Sequence, residues 1–132
     1  MPRAQWALCQ DRPAVQIMLT MAAGGQQVTR NLLADTGAGT ARVNLEIVLE
    51  ENDCLLAGGI PVHGVILGGA YAGSFPVYRV RVQLPSLGFD HFLRAVGVPT
   101  VPAGFDGIAC FRFLNHFTYG NFGNRAAFGL ET

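Results

Sequence analysis

The sequence predicts an all-β domain with one short helix near its C-terminus. Apolar and polar residues alternate along residues 15–21, 43–49 and 78–84, which is the period of a strand with one buried face. Only residues 107–117 space their apolar side chains as a helix does. The 132 residues suit one domain, residues 1–132, and they contain no linker or internal repeat.

The first two strands are predicted to form a hairpin. Residues 15–21 run into Gly24-Gly25, and glycine enters the positive φ angles of a tight turn without steric cost. Residues 28–34 return as the second strand. That strand ends in Asp35-Thr36-Gly37.

The remaining elements are predicted in chain order. Residues 43–49 form a strand whose wet face carries Glu46, and residues 50–53 form a polar turn. A second hairpin has arms at residues 62–67 and 75–84 and a glycine-rich tip between them. Residues 89–98 and 124–130 are further strands. Asp106 is predicted to cap the helix of residues 107–117, or to orient that segment.

Charge and hydropathy exclude several classes of protein. Nine Arg balance nine Asp plus Glu without any Lys, and the Arg are scattered, so no nucleic-acid partner is expected. Residues 55–78 are uncharged, but their glycines and prolines argue against a membrane-spanning helix. The first residues lack the apolar core of a signal peptide. We therefore expect a cytoplasmic protein without a membrane partner.

Searches for metal and cofactor motifs are negative. The histidines are isolated and show no zinc-site spacing: His63, His91 and His116. No phosphate-binding glycine loop and no serine-nucleophile motif occurs. The cysteines lack a CxxC pair and are expected to be reduced: Cys9, Cys54 and Cys110. We expect no metal and no cofactor, and we interpret Cys110 as a small buried residue.

The segment Leu32-Leu33-Ala34-Asp35-Thr36-Gly37-Ala38 is the candidate for chemistry. A carboxylate directly after an apolar strand is held by buried backbone, and a hydrolytic carboxylate needs that fixation. The same residues also suit an ordinary turn in which Asp35 caps its own backbone. Taken alone, the motif does not separate these interpretations.

The order of these parts resembles the retropepsin-like aspartic protease family, which comprises retroviral-type proteases and bacterial relatives. Members have a hairpin, an Asp-Thr/Ser-Gly-Ala loop, a strand, a glycine-rich flap hairpin and a closing segment that opens a short helix. The corresponding parts here are residues 32–38, 65–73 and 105–117, and the resemblance covers about residues 13–130. It implies a closed β-barrel with a flap hairpin and one short C-terminal helix.

The resemblance also implies an activity, that of an aspartic endopeptidase acting on a peptide or protein substrate. Its mechanism needs two carboxylates sharing a proton, and this chain has one Asp-Thr-Gly, so the implied enzyme is a homodimer that pairs Asp35 of both chains. The implied supporting residues of the active-site loop are Thr36, Gly37 and Ala38. The implied substrate-binding residues of the flap are Gly68, Gly69, Ala70 and Tyr71. Residues 1–12 would be an extension or an interface strand.

Two positions depart from the family pattern. Gly39 stands where many relatives carry Asp, Ser or Thr, and Cys110 stands at the glycine of the closing segment. These departures keep a second hypothesis open, a catalytically silent domain of the same fold that binds a peptide or mediates dimerisation. A third hypothesis is an unrelated β-barrel in which Asp-Thr-Gly is accidental.

Overall fold

The structure is a computed structural model that describes residues 1–68 and 71–132. Strands hold 49% of the chain and helices 12%, so the prediction of a mostly β protein is confirmed. In the described part the strands are β1 (Arg3–Ala7), β2 (Ala14–Thr20), β3 (Gln27–Ala34), β4 (Ile47–Glu50), β5 (His63–Leu67), β6 (Gly73–Leu84), β7 (Phe89–Val98), β8 (Gly107–Ala109), β9 (Thr118–Gly120) and β10 (Ala127–Glu131). The α-helices there are α1 (Glu51–Gly58) and α2 (Phe111–Leu114).

Six strands close into a barrel. Their order is β2, β3, β8, β4, β7, β6, and β6 returns to β2 with Thr20 opposite Arg81. Strand β8 runs parallel to β3 and antiparallel to β4, so it fills the space between them. The end of β3, where Asp35 follows, is therefore held beside β8.

The first hairpin forms as predicted. Strands β2 and β3 pair along their whole length, and the alternation buries Val15, Ile17 and Leu19 in the barrel. Gly24 and Gly25 have φ angles of +80° and +68°, which explains why this turn uses glycine.

The second hairpin also forms where it was predicted. Strands β5 and β6 pair antiparallel from His63 opposite Val77 to Leu67 opposite Gly73. The rest of β6 continues into the barrel, where it pairs with β7. The hairpin is therefore anchored at its base and extends from the barrel at its tip.

Helix α1 replaces the predicted polar turn at residues 50–53, and that prediction is wrong. The strand predicted at residues 43–49 is also only partly confirmed: the observed strand, β4, covers Ile47–Glu50. The helix buries Cys54 and Ala57 against the barrel core. Its Asp53 accepts hydrogen bonds of 2.7 and 3.0 Å from Arg30 of β3. A polar first turn thus begins a helix here because one face packs on the barrel.

The predicted helix of residues 107–117 is also corrected. Its first part is strand β8, and α2 begins only at Phe111. A side chain at Gly107 would put a Cβ 2.1 Å from the Val48 carbonyl oxygen, so glycine is what lets β4 pack against β8. Asp106 does not cap α2; its Oδ2 accepts a 2.8 Å bond from the Asn31 amide, and its amide donates to the Asn31 carbonyl. Asp106 therefore orients the segment against β3.

The chain termini form a separate sheet in which β10 lies between β1 and β9. Arg3 and Glu131 face each other across β1 and β10 and form a 2.7 Å ion pair. The first residues thus pair with the C-terminal strand of the same chain. In the described part, neither helix is long and apolar enough to cross a bilayer.

Candidate active site

Asp35 lies in a cleft of about 480 Å³. The loop after β3 forms its floor, and Val43, Leu45 and Ile108 form apolar walls. The tip of the β5–β6 hairpin contributes Leu67 and Tyr71. The cleft therefore brings together two segments that are far apart in the sequence, the Asp-Thr-Gly loop and the hairpin.

Backbone hydrogen bonds fix the loop that carries Asp35. The Asp35 amide donates to the Ala109 carbonyl of β8 at 3.0 Å, and the Ala38 amide donates to the Asp35 carbonyl at 3.1 Å. The Phe111 amide donates to the Ala38 carbonyl at 2.9 Å. Both ends of the loop are thus attached to the β8–α2 segment, so the position of Asp35 depends on the barrel rather than on the loop alone.

The Asp35 side chain is half-buried and oriented by its own loop. Its Oδ1 accepts a 3.0 Å hydrogen bond from the Gly37 amide. A Cβ at Gly37 would lie 3.3 Å from this oxygen, a tight contact, so glycine lets the amide approach the carboxylate. Thr36 is exposed, whereas Ala38 packs against the apolar cluster under the cleft. The structure therefore contains the turn bond of the simpler interpretation, but places it inside a cleft.

Glycine at position 39, which departs from the pattern of the family that the sequence resembles, is explained by the backbone. Its φ angle is +74°, in the left-handed region that side chains other than glycine rarely adopt. A Cβ there would lie 3.0 Å from Cγ1 of Val43, which forms the cleft wall. In this fold a side chain at position 39 is strained, so the departure fits the local backbone.

Cys110 lines the cleft and precedes α2, yet it is only 1% exposed. Burial, with a smaller contribution from the nearby charge of Asp35, raises the pKa of its thiol to about 12. A thiol with that pKa stays protonated at neutral pH and is a poor nucleophile. Cys110 thus has the properties of the small buried residue that the sequence predicted.

The predicted flap residues are only partly described. Gly68 and Tyr71 line the cleft, while Gly69 and Ala70 lie outside the described residues. Tyr71 is half-buried and meets Phe75 edge to face at a centroid distance of 6.5 Å. Burial raises the pKa of its phenol, with a smaller contribution from Cys110. Tyr71 therefore has its ring against the cleft wall instead of in open solvent.

Glu46 has a role in the site that the predicted wet strand face did not suggest. Its carboxylate accepts a 2.9 Å bond from the Arg94 amide and lies 3.9 Å from both Arg112 and His116. Its carbonyl accepts from the Cys110 amide at 3.1 Å. Glu46 thus ties the cleft wall to α2. No local pattern could reveal this, because every partner is distant in the sequence.

The cleft contains one carboxylate, Asp35, among its described lining residues. Across residues 1–68 and 71–132, no three His, Cys, Asp or Glu side chains come together as a metal site. What the site offers chemically is one oriented carboxylate in a largely apolar cleft. No protein-family model matches the chain, and no curated protein matches it in sequence.

Proposed function

We propose that this chain is one subunit of a homodimeric, retropepsin-like aspartic endopeptidase. One observation carries the proposal: Asp35, held by backbone at the end of β3, shares a cleft with the tip of the β5–β6 hairpin. A fixed carboxylate under a hairpin is an arrangement that can hold an extended peptide against a reacting group. The order of elements along the chain agrees with the family resemblance as well.

The proposed chemistry needs a second carboxylate, and a second copy of the chain supplies it. Two Asp35 side chains a few ångströms apart share one proton, because ionising both at that distance is unfavourable. The ionised carboxylate takes a proton from water while the water oxygen attacks the substrate carbonyl carbon, and the protonated carboxyl donates to the carbonyl oxygen. As the resulting diol collapses, the carboxyl that took the proton from water gives it to the amide nitrogen, and the other carboxylate removes a proton from a diol hydroxyl. The C–N bond breaks, the products are an amine and a carboxylic acid, and the pair again shares one proton.

The walls of the cleft support a peptide as substrate. Val43, Leu45 and Ile108 offer apolar surface on which substrate side chains can be buried. Tyr71 and Gly68 belong to the hairpin tip and would cover the substrate from the other side. In this proposal the hairpin is the flap, and its closure excludes water from the reacting bond.

A second candidate function rests on Cys110, whose side chain occupies cleft wall where relatives have glycine. A domain of this kind would bind a peptide in the same cleft without hydrolysing it. The two candidates differ in one observable, which is cleavage that depends on Asp35.

The test is cleavage of a diverse peptide library by the purified protein from acid to neutral pH. Asp35→Asn removes the catalytic carboxylate, and Asp11→Asn is the matched control, since Asp11 is exposed and outside the cleft. We expect cleavage by the wild type and by Asp11→Asn, and none by Asp35→Asn, with all three proteins dimeric by sedimentation. A folded dimer without cleavage at any pH would favour the peptide-binding domain, and a stable monomer would favour the unrelated barrel.

A further inference from the structure

A second cavity, of about 510 Å³, has no described lining residue in common with the Asp35 cleft. It lies where the end of β2, the end of α1 and the outer faces of β6 and β7 meet. The residues that matter for its chemistry are Thr20, Met21, Ala57, Arg79, Arg81 and Phe92. Two arginines in one concave surface make it a candidate anion site.

The two arginines differ in how they are neutralised. Arg81 forms a two-point ion pair with Asp90, with distances of 2.9 and 2.7 Å. Arg79 has no hydrogen-bond or carboxylate partner within residues 1–68 and 71–132; its guanidinium lies 4.1 Å from the centre of the Phe92 ring. Stacking on a ring face leaves the in-plane N–H groups of a guanidinium available. Arg79 is therefore a preoriented donor fork that no carboxylate of the described residues occupies.

A neighbouring arginine also favours the binding of an anion. Arg79 lies directly opposite Arg94 in the β6–β7 pairing, so both side chains project from one face of the sheet. The side-chain partner of Arg94 is the neutral amide of Asn44. Like charges opposite each other are destabilising, and a bound anion relieves that repulsion. On this face β6 and β7 carry Arg79, Arg81 and Arg94 against one carboxylate, Asp90, which pairs with Arg81.

The cavity also has room for an apolar group. Phe92 is 54% exposed, a large fraction for a phenylalanine, and Met21 and Ala57 form neighbouring wall. The buried hydroxyl of Thr20 has no hydrogen-bond partner within the described part of the chain. Thr20 lines the cavity, so an acceptor on a ligand bound there is a possible partner for this hydroxyl.

From these observations we propose that this cavity binds a small organic oxyanion, a carboxylate or phosphate attached to an aromatic or other apolar group. Arg79 holds the oxyanion through two parallel N–H···O bonds, and Arg94 strengthens the local field. The apolar part packs against Phe92 and Met21. The site is independent of Asp35 and of the proposed protease function.

The experiment is titration of isotope-labelled full-length protein with benzoate and phenyl phosphate, followed by amide chemical shifts in NMR spectra. Benzamide and inorganic phosphate are the matched probes, since one lacks the charge and the other lacks the ring. Arg79→Gln removes the donor fork and Arg79→Lys keeps the charge. Arg125→Gln is the control, because Arg125 is exposed and forms no ion pair in the described part of the chain.

We expect saturable shifts around Arg79 and Phe92 with the two aromatic anions, and binding weaker by about tenfold or more in Arg79→Gln. Arg79→Lys should fall between Arg79→Gln and the wild type, and Arg125→Gln and Asp35→Asn should bind as the wild type does. Benzamide and inorganic phosphate should bind more weakly than benzoate and phenyl phosphate. Equal binding of benzamide and benzoate, or unchanged binding in Arg79→Gln, overturns the proposal.

Discussion

The Phe111 amide donates a 2.9 Å hydrogen bond to the carbonyl of Ala38, so the first residue of α2 holds the far end of the Asp35 loop. The near end is held by the Asp35 amide on the Ala109 carbonyl. Two residues of one segment, Ala109 and Phe111, thus position the candidate catalytic group. Substitutions in this segment are expected to change the position of the Asp35 carboxylate, even where the substituted side chain does not contact substrate.

Gly39→Ala is expected to destabilise the protein by about 1–2 kcal/mol, because alanine is strained at a φ of +74°. The new Cβ would also lie 3.0 Å from Val43. Gly24→Ala is the matched control, since Gly24 has a φ of +80° but nothing within 4 Å of a Cβ. Urea unfolding should give a larger loss for Gly39→Ala than for Gly24→Ala. Equal losses would show that the Val43 contact does not matter.

Stability is expected to fall as the pH rises above about 9, because two thiols are buried in the folded state. Burial raises the pKa of Cys54 and of Cys110 from 9.0 to about 12 in each case. The folded protein then keeps protons that the unfolded chain loses, so each thiol contributes stability below pH 9 that is lost towards pH 12. The expected loss is about 1 kcal/mol per thiol for each pH unit.

Unfolding free energies measured from pH 7.5 to 10 provide the check. Cys54→Ala and Cys110→Ala should each remove part of the slope, because each removes one buried thiol. A wild-type curve that is flat over this range contradicts the burial of both thiols.

Asp106→Ala is expected to cost about 0.5–1.5 kcal/mol, because the exposed Asn31 amide exchanges its acceptor at 2.8 Å for water. Asp106→Asn keeps an oxygen acceptor at the same place and should cost less. Thermal unfolding of both variants measures the difference. If Asp106 were a helix cap instead, the loss would be confined to α2, and amide exchange would show β3 unchanged.

Asp90 is expected to titrate near pH 2. The hydrogen bonds from Arg81 are the main cause of its lowered pKa, and Gln83 adds to the effect. Because the folded-state pKa is below the ordinary 3.8, the pair contributes stability above that value, and the contribution is lost as the pH falls towards 2. An NMR titration of the Asp90 carboxyl in wild type and Arg81→Gln should show the midpoint rising in the variant.

Alternation of apolar and polar residues predicts β2 and the inner part of β6, because these are long strands with one buried face. Helix α1 was missed because it buries only Cys54 and Ala57, so its pattern is too weak to show a helix. Strand β8 was mistaken for helix because Ile108, Phe111 and Leu114 are spaced like one. What makes it a strand is pairing with β3 and β4, which lie far away in the sequence.

Local sequence patterns predict only part of the candidate site. Asp35 follows an apolar strand, and that position alone predicts its fixation. The roles of Glu46, Gly39 and Asp106 depend on residues that only the folded barrel brings near, such as Arg94 for Glu46. Contacts between residues so far apart along the chain produce no periodic pattern in the sequence.

The proposed function requires the Asp35 side chains of two chains to act as a pair, and an experiment with mixed subunits measures this requirement. Wild type and Asp35→Asn are refolded together at fixed total protein, and cleavage of one library-selected peptide is measured against the wild-type fraction. If both carboxylates are needed, activity follows the square of that fraction, so an equal mixture keeps about one quarter of the wild-type rate. Activity that falls linearly, to about one half in the equal mixture, would contradict the shared site.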